Sequence, residues 1–291
     1  MSDRVGVIGL GVMGSAMAGN LLRAGHRVKG FDIAPEKIAA MVAKGGVESA
    51  SAGEVAADSD VVVFSLPTTS SLSAVVTEVA ANAHSGLLCL ETGTFPLDAK
   101  TAARSSLAAK GVELMDTPLS GTGLQAADAT LVVFASGSPE GFERARPVLD
   151  AIGRSTHYLG DFGNGSRMKY VANLLVAVHN LATAEAHALG IAAGLDPALV
   201  QEVMTDGVGS SKIFEIRGPM MVNDDYPTAA RLDIILKDAR IIKDFAESVG
   251  APTPLLDAAI PVYMESSDAG LGDLDAAALC RYLEELGGLV R

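Results

Sequence analysis

The chain has 291 residues, 49% of them hydrophobic and 20% charged, enough apolar material for one large or two modest cores, and its length favours two domains. A net charge of −13 at pH 7 argues against nonspecific binding to nucleic acid or to an anionic membrane surface, which needs clustered Lys and Arg. Cys89 and Cys280 lie far apart without metal-ligand spacing, so no disulfide framework and no metal site are expected, and a reducing, cytoplasmic setting fits.

The first apolar run, Val5-Gly6-Val7-Ile8, closes on Gly9-Leu10-Gly11-Val12-Met13-Gly14 and opens onto the helical stretch from Ala16 to Leu22. The glycines break this segment and no strongly basic leader precedes it, so it does not read as a secretion signal. Three glycines where a strand turns into a helix make a pyrophosphate cradle: Gly9 permits the tight turn, Gly11 lets backbone approach the phosphates, and Gly14 lets the helix pack closely on the strand. The anion then rests on unpaired N–H groups at the positive end of the helix dipole. A second strand, Arg27 to Phe31, ends at Asp32, about 20 residues past the glycines, where a carboxylate accepts hydrogen bonds from the adenosine ribose hydroxyls. Asp32 repels a 2′-phosphate and no arginine follows in Ile33-Ala34-Pro35-Glu36, so NAD is expected in preference to NADP, although Lys37 lies close. The alternative for Asp32 is a cap on the following helix.

Further β-branched runs follow at Asp60 to Leu66, Gly86 to Leu90, Val112 to Asp116, Thr130 to Phe134 and Thr156 to Leu159. Helical stretches such as Thr69 to Ala83 and Pro96 to Lys110 separate them. Near-continuous apolar strands imply a sheet covered on both faces, hence an α/β, doubly wound Rossmann domain over residues 1–164. Helical patterning then runs to the C-terminus, giving an all-α domain over residues 165–291. A long helix at about 166–193 joins the two, and further helices start near Pro197, Asp233 and Asp273. The long apolar segment Tyr170 to Leu195 is interrupted by Asn173, His179, Asn180, Glu185 and His187, which are expensive in lipid, so it is expected to be buried in protein. Its histidines read as buried and hydrogen-bonded, since a metal site wants closer spacing and a further ligand. Alanine-rich apolar helix faces suggest a homodimer or homotetramer.

The start of that helix carries the sharper chemistry. Lys169 and Asn173 are four residues apart, one turn above the other on one face. The neighbours Met168, Val171, Ala172, Leu174 and Leu175 are mostly apolar, and a lysine desolvated by them has a lowered pKa that suits proton transfer. Spacing alone leaves open a lysine that snorkels from a solvated helix end.

The run Gly9 to Leu22, the Leu66-Pro67 pair, Asp116-Thr117-Pro118-Leu119-Ser120-Gly121, Lys169 with Asn173, and Lys237-Asp238 together resemble the β-hydroxyacid dehydrogenase family, whose members include 3-hydroxyisobutyrate dehydrogenase and tartronate semialdehyde reductase. The resemblance covers nearly the whole chain in order. It implies hydride transfer between NAD and a small β-hydroxy acid, with Lys169 taking the hydroxyl proton in oxidation and returning it in reduction. It also implies that Asn173 holds the substrate and that Ser120, Gly121 and Thr122 occupy the loop receiving its carboxylate. Leu66, Pro67 and Thr94 fall where the family contacts the nicotinamide half of the cofactor, and Lys237 matches a lysine that closes over it. For Thr94 an ordinary strand-end hydroxyl stays open as the alternative.

Three departures qualify the transfer. The substrate loop usually reads Ser-Gly-Gly, and Thr122 here places a side chain in it. The asparagine pair common on the catalytic helix is reduced to one, Ala172 filling the first position. The motif around Thr94 matches only loosely. The decarboxylating 6-phosphogluconate dehydrogenases carry a histidine three residues after the lysine and a glutamate seven after it; Ala172 and Val176 stand there, which favours simple reversible hydride transfer. Imine reductases are similar in architecture but generally lack the lysine, and a non-catalytic cofactor-bound sensor or scaffold is a further alternative.

Overall fold

Residues of β1 (Arg4–Ile8) after Arg4 are buried without a break, as are all four of β4 (Val61–Phe64) and β5 (Leu88–Glu91), so these strands are covered on both faces. In the computed structural model, which describes residues 4–289, the chain falls into two compact units, Met1–Lys169 and Tyr170–Arg291. The first unit continues from β1 through α1 (Val12–Arg23), β2 (Arg27–Phe31), α2 (Pro35–Val42), β3 (Val47–Glu48) and α3 (Ala52–Ala57) to β4. Next come α4 (Thr69–Asn82), β5, α5 (Leu97–Ala108), β6 (Glu113–Asp116) and β7 (Leu119–Ser120). The unit ends with α6 (Gly123–Ala127), β8 (Leu131–Ala135), α7 (Pro139–Ile152) and β9 (Gly153–Tyr158).

Six parallel strands run in the order β3-β2-β1-β4-β5-β6, the doubly wound arrangement, with its switch point between β1 and β4. Alternate residues serve opposite faces. Val5, Val7, Val61, Val63, Leu88 and Leu90 pack with Met17 and Leu21 of α1 and Val148 of α7, whereas Ile8, Val62, Phe64 and Cys89 pack with Val55, Leu72 and Leu107. The runs near Thr130 and Thr156 form β8 and β9, but these belong to a separate three-stranded sheet, β7-β8-β9. The Thr117 N–H makes the last bond to β5, donating to the Glu91 carbonyl at 2.9 Å, and the chain leaves the main sheet at Pro118. A bridge between Asp116 and Ser136 links the two sheets.

The helix α8 (Asn164–Ala192) starts in the first unit and continues into the second, which adds α9 (Pro197–Thr205), α10 (Lys212–Asn223), α11 (Leu232–Ser248), α12 (Pro254–Ser266) and α13 (Leu279–Gly287). In α11, Leu232, Ile235, Leu236, Ala239, Ile242 and Ala246 are buried at helical spacing. They pack in one core with Tyr170, Ala177 and Leu181 of α8 and Leu256 and Tyr263 of α12. A buried polar network runs through it: Arg217 donates to Asp275 at 3.0 Å and to Asn180 at 3.2 Å, and Asn180 donates to Tyr263 Oη and to the Ala276 carbonyl. The last helix begins at Leu279, later than the expected start near Asp273, and is entered through a 3-10 turn at Ala276–Ala278 that Asp275 caps by accepting from the Ala277 N–H. By length and composition α8 is apolar enough to cross a bilayer. Its Asn173, Asn180, Thr183 and His187 are nevertheless buried with protein partners.

Candidate active site

The expected cofactor residues of the first unit lie at the carboxyl edge of its parallel sheet, where open α/β sheets take ligands. Gly9 follows β1 with φ +88°, and a Cβ there would lie 2.2 Å from the Ser65 carbonyl oxygen. At Gly14 a Cβ would lie 1.9 Å from the carbonyl oxygen of Gly9 itself, so turn and helix fit only without side chains. Gly11 differs: a Cβ there meets nothing within 4 Å, and Gly11 caps α1 without any side-chain hydrogen bond. The first-turn N–H groups of α1 therefore face open space, the environment a pyrophosphate requires. The residues Gly9, Leu10, Gly11, Val12, Met13 and Gly14 fit a dinucleotide on these grounds.

Asp32, at the end of β2, accepts from the Leu10 N–H at 2.6 Å and from the Ala34 N–H at 2.9 Å. One carboxylate thus ties the glycine turn to the β2 end and fixes its own orientation. Ile33 beside it is 93% exposed, so no side chain there shields or neutralises the acid. Leu66 and Pro67 follow β4 and Thr94 follows β5, with Leu66 and Thr94 half-buried and Pro67 exposed.

The loop carrying Ser120, Gly121 and Thr122 sits in the same unit and is held against the glycine turn. Asn20 of α1 donates to the Ala126 carbonyl at 2.7 Å and Arg23 to that of Ala127 at 2.8 Å. A Cβ on Gly123 would come within 2.7 Å of Val12. Gly121 needs its φ of +143°, and a Cβ there would strike Leu131 at 2.7 Å. The Thr122 side chain, which stands where the family usually has glycine, also serves the fold. Its side chain caps α6 by accepting from the Gln125 N–H, while its own N–H donates to Gln125 Oε1 at 2.9 Å.

Lys169 is half-buried near the start of α8. The expected desolvation by Met168, Val171 and Leu175 is not built from those side chains, which are exposed. What fixes this part of the helix is polar: the Ser166 N–H donates to Asp116 Oδ2 at 2.7 Å, the Ser166 hydroxyl to Asp116 Oδ1 at 2.8 Å, and the Gly165 N–H to Ser136 Oγ at 2.9 Å. Behind Asp116 lies Lys100, whose Nζ is 2.8 Å from Asp116 Oδ1 and 2.5 Å from Glu91 Oε2, all three side chains being fully buried. Burial pushes the Glu91 carboxyl up from its ordinary value despite Lys100, and the two carboxylates hold the Lys100 ammonium charged. Lys100 went unnoticed in the sequence, yet it stands on the apolar stripe of α5 with Ala103 and Leu107, where a lysine is a signal of a buried ion cluster.

In the second unit, Asn173 is buried and donates from Nδ2 to Asp238 Oδ2 at 2.7 Å. The Lys237 ammonium lies 2.9 Å from the other oxygen of Asp238. Asp238, quoted in sequence only as the neighbour of Lys237, thus orients two of the expected site residues. His187 is buried, contacts Gln201 at 3.1 Å and stacks on Phe214; His179 is only half-buried.

A Rossmann unit with an intact phosphate cradle, followed by a helical unit, defines a dinucleotide-dependent oxidoreductase architecture. Residues 4–160 match the family model of the NAD-binding domain of 6-phosphogluconate dehydrogenase, and residues 163–283 match that described as NAD-binding of NADP-dependent 3-hydroxyisobutyrate dehydrogenase. L-threonate dehydrogenase of Cupriavidus necator is 36% identical over 97% of this chain and 96% of its own length. 2-(Hydroxymethyl)glutarate dehydrogenase of Eubacterium barkeri is 32% identical over 99% and 97%. The crystal structure of 3-hydroxyisobutyrate dehydrogenase from Salmonella typhimurium superposes with a TM-score of 0.89 at 33% identity, covering 97% of this chain and all of that one. The chain belongs to the β-hydroxyacid dehydrogenase family. It is an oxidoreductase acting on the CH–OH group of small hydroxy acids with a nicotinamide dinucleotide.

Proposed function

We propose that the enzyme interconverts a small β-hydroxy acid of the 3-hydroxyisobutyrate type with its semialdehyde or ketone, using NAD in preference to NADP. The relatives named for L-threonate and 2-(hydroxymethyl)glutarate, and the structure named for 3-hydroxyisobutyrate, share a substrate chemistry: a carboxylate with a hydroxyl on its β carbon. The observation that carries the cofactor choice is Asp32, an acid locked in place by Leu10 and Ala34 with an exposed Ile33 and no arginine beside it.

The bound dinucleotide supplies the hydride acceptor in oxidation and donor in reduction. Gly9, Leu10, Gly11, Val12, Met13 and Gly14 hold its pyrophosphate, Asp32 its adenosine ribose, and Leu66, Pro67, Thr94 and Lys237 its nicotinamide side. Ser120 and Gly121, with Thr122 beside them, take the substrate carboxylate. Lys169 removes the hydroxyl proton in oxidation and returns it to the carbonyl oxygen in reduction. Asn173, its amide turned by Asp238, orients the substrate. The reading includes a homodimer or homotetramer, supported by the exposed stripe of Met168, Val171, Leu175 and Leu189 on α8. It also includes a cytoplasmic setting, supported by Cys89 and Cys280 being buried thiols.

The test is a panel of 3-hydroxy acids, including 3-hydroxyisobutyrate, L-threonate and 2-(hydroxymethyl)glutarate, assayed at alkaline pH by nicotinamide absorbance with NAD and with NADP. Turnover with NAD at the higher kcat/KM supports the reading. Preference for NADP overturns the cofactor assignment, and silence across the panel and across the matching semialdehydes with NADH overturns the substrate class.

A further inference from the structure

Lys100 is fully buried, and through Glu91, Gly93 and Asp116 it joins two segments that carry residues assigned to cofactor and substrate. On one side its Nζ meets Glu91 Oε2 at 2.5 Å and donates to the Gly93 carbonyl at 2.7 Å, while Glu91 Oε1 accepts from the Gly93 N–H at 2.7 Å. The loop leading into Thr94 is thereby pinned at both ends of one peptide-bearing residue. On the other side Nζ meets Asp116 Oδ1 at 2.8 Å, and both oxygens of Asp116 are taken up by Ser166. Ser166 precedes Lys169 by three residues in α8, close to the same helix face. Ser136 closes the arrangement, its hydroxyl lying 3.3 Å from Asp116 Oδ2 and accepting from the Gly165 N–H. A fold that needed only to fill this space has an apolar residue available, since replacing buried ions by hydrophobic residues is often neutral or stabilising.

We infer that Lys100 is a positioning residue for the dehydrogenase reaction, clamping the Glu91–Gly93 loop and the Asp116–Ser166 helix start so that Thr94 and Lys169 are presented in a fixed relation. The inference rests on the assignment of Lys169 to proton transfer. Two chains of contact leave the one ammonium group: Glu91 to Gly93 and Thr94, and Asp116 to Ser166 and Lys169. The two carboxylates are held apart by the lysine between them, and without it they repel each other or take up a proton, releasing Ser166 from its two hydrogen bonds. Misplacement of a reacting group by about 1 Å costs on the order of 100-fold in rate, so a loosened helix start reads out as lost turnover even in a folded protein.

The experiment compares Lys100→Met, Ser166→Ala and the double variant, each full length and checked by circular dichroism to be folded at the assay temperature. Each single variant is expected to lower kcat by roughly 10–100-fold, with KM for the hydroxy acid changed by less than about threefold. Because both substitutions cut one chain of contacts, the double variant falls no further than the weaker single variant. A folded Lys100→Met enzyme with kcat within about twofold of wild type, or losses that multiply in the double variant, overturns the inference. Should Lys100→Met fail to fold, Ser166→Ala, which leaves the three charges in place, decides the matter alone: unchanged kcat overturns the link to Lys169. Lys169→Ala tests the underlying assignment separately, since retained turnover there defeats the catalytic reading whatever the Lys100 and Ser166 variants do.

Discussion

Asp116 accepts both the N–H and the hydroxyl of Ser166, at 2.7 and 2.8 Å, so a single carboxylate at the end of β6 holds the first turn of α8. The same carboxylate is one of two that surround the buried Lys100 ammonium. Removing the Asp116 carboxylate leaves Lys100 with Glu91 as its counter-ion but strands the buried N–H and hydroxyl of Ser166, two hydrogen bonds to a charged acceptor at about 1.5–3 kcal/mol each, a loss of about 3–6 kcal/mol. Asp116→Ala is therefore expected to destabilise the fold by that amount in denaturant unfolding, and a loss below about 1 kcal/mol, the scale of a surface pair, contradicts the cluster's role.

Gly11 and Gly14 separate binding from folding. A methyl at Gly11 meets nothing within 4 Å, so Gly11→Ala keeps the fold and weakens dinucleotide binding by obstructing its approach. A methyl at Gly14 collides with the Gly9 carbonyl, so Gly14→Ala costs at least about 1–3 kcal/mol of stability as well. Thermal unfolding with and without NAD distinguishes them: Gly11→Ala loses the ligand-induced rise while keeping its own Tm, and Gly14→Ala loses both.

Asp32 ties Leu10 to Ala34 in the structure and is the proposed acceptor of the ribose hydroxyls. Asp32→Ala is expected to raise KM for NAD roughly 10–100-fold, the scale of a lost charged hydrogen bond. Its kcat/KM ratio of NAD to NADP should fall together with that loss. A variant whose NAD kinetics are untouched contradicts the placement of the cofactor.

Glu91 supplies the pH signature. Burial raises its carboxyl pKa in the folded state. A raised folded pKa gives a contribution that is full below the ordinary unfolded value, about 4.3, and is lost as pH rises toward and through the folded value. Glu91→Gln cannot ionise, so the difference in Tm, variant minus wild type, moves in the variant's favour as pH is raised from about 5 to about 8. A difference that stays flat over this range shows that Glu91 is held ionised by Lys100.

Much of this architecture was legible in the sequence because it rests on long or chemically sharp signals. The buried runs of β1, β4 and β5, the three glycines and the long α8 announce themselves by composition and period. The two-residue strands β3 and β7 are too short to show any alternation, and β7 is what turns β8 and β9 into a sheet of their own. Helices α10 and α12 went unrecognised, and each carries an internal proline, Pro219 and Pro261, inside a helix held by tertiary packing. The site shows the same division. Asp32 stands at a position where spacing carries meaning and Lys169 was singled out by the family resemblance, whereas the roles of Asp238, Lys100 and the Thr122–Gln125 cap depend on partners that only folding brings near.

The central claim is that Lys169 moves the substrate proton, and steady-state kinetics of Lys169→Ala on the best acid of the panel test it most directly. The expected result is a fall in kcat of about 100–10,000-fold, the range of general acid–base catalysis, with NAD binding by thermal shift close to wild type. Turnover within about tenfold of wild type contradicts the assignment and moves the proton chemistry to another residue.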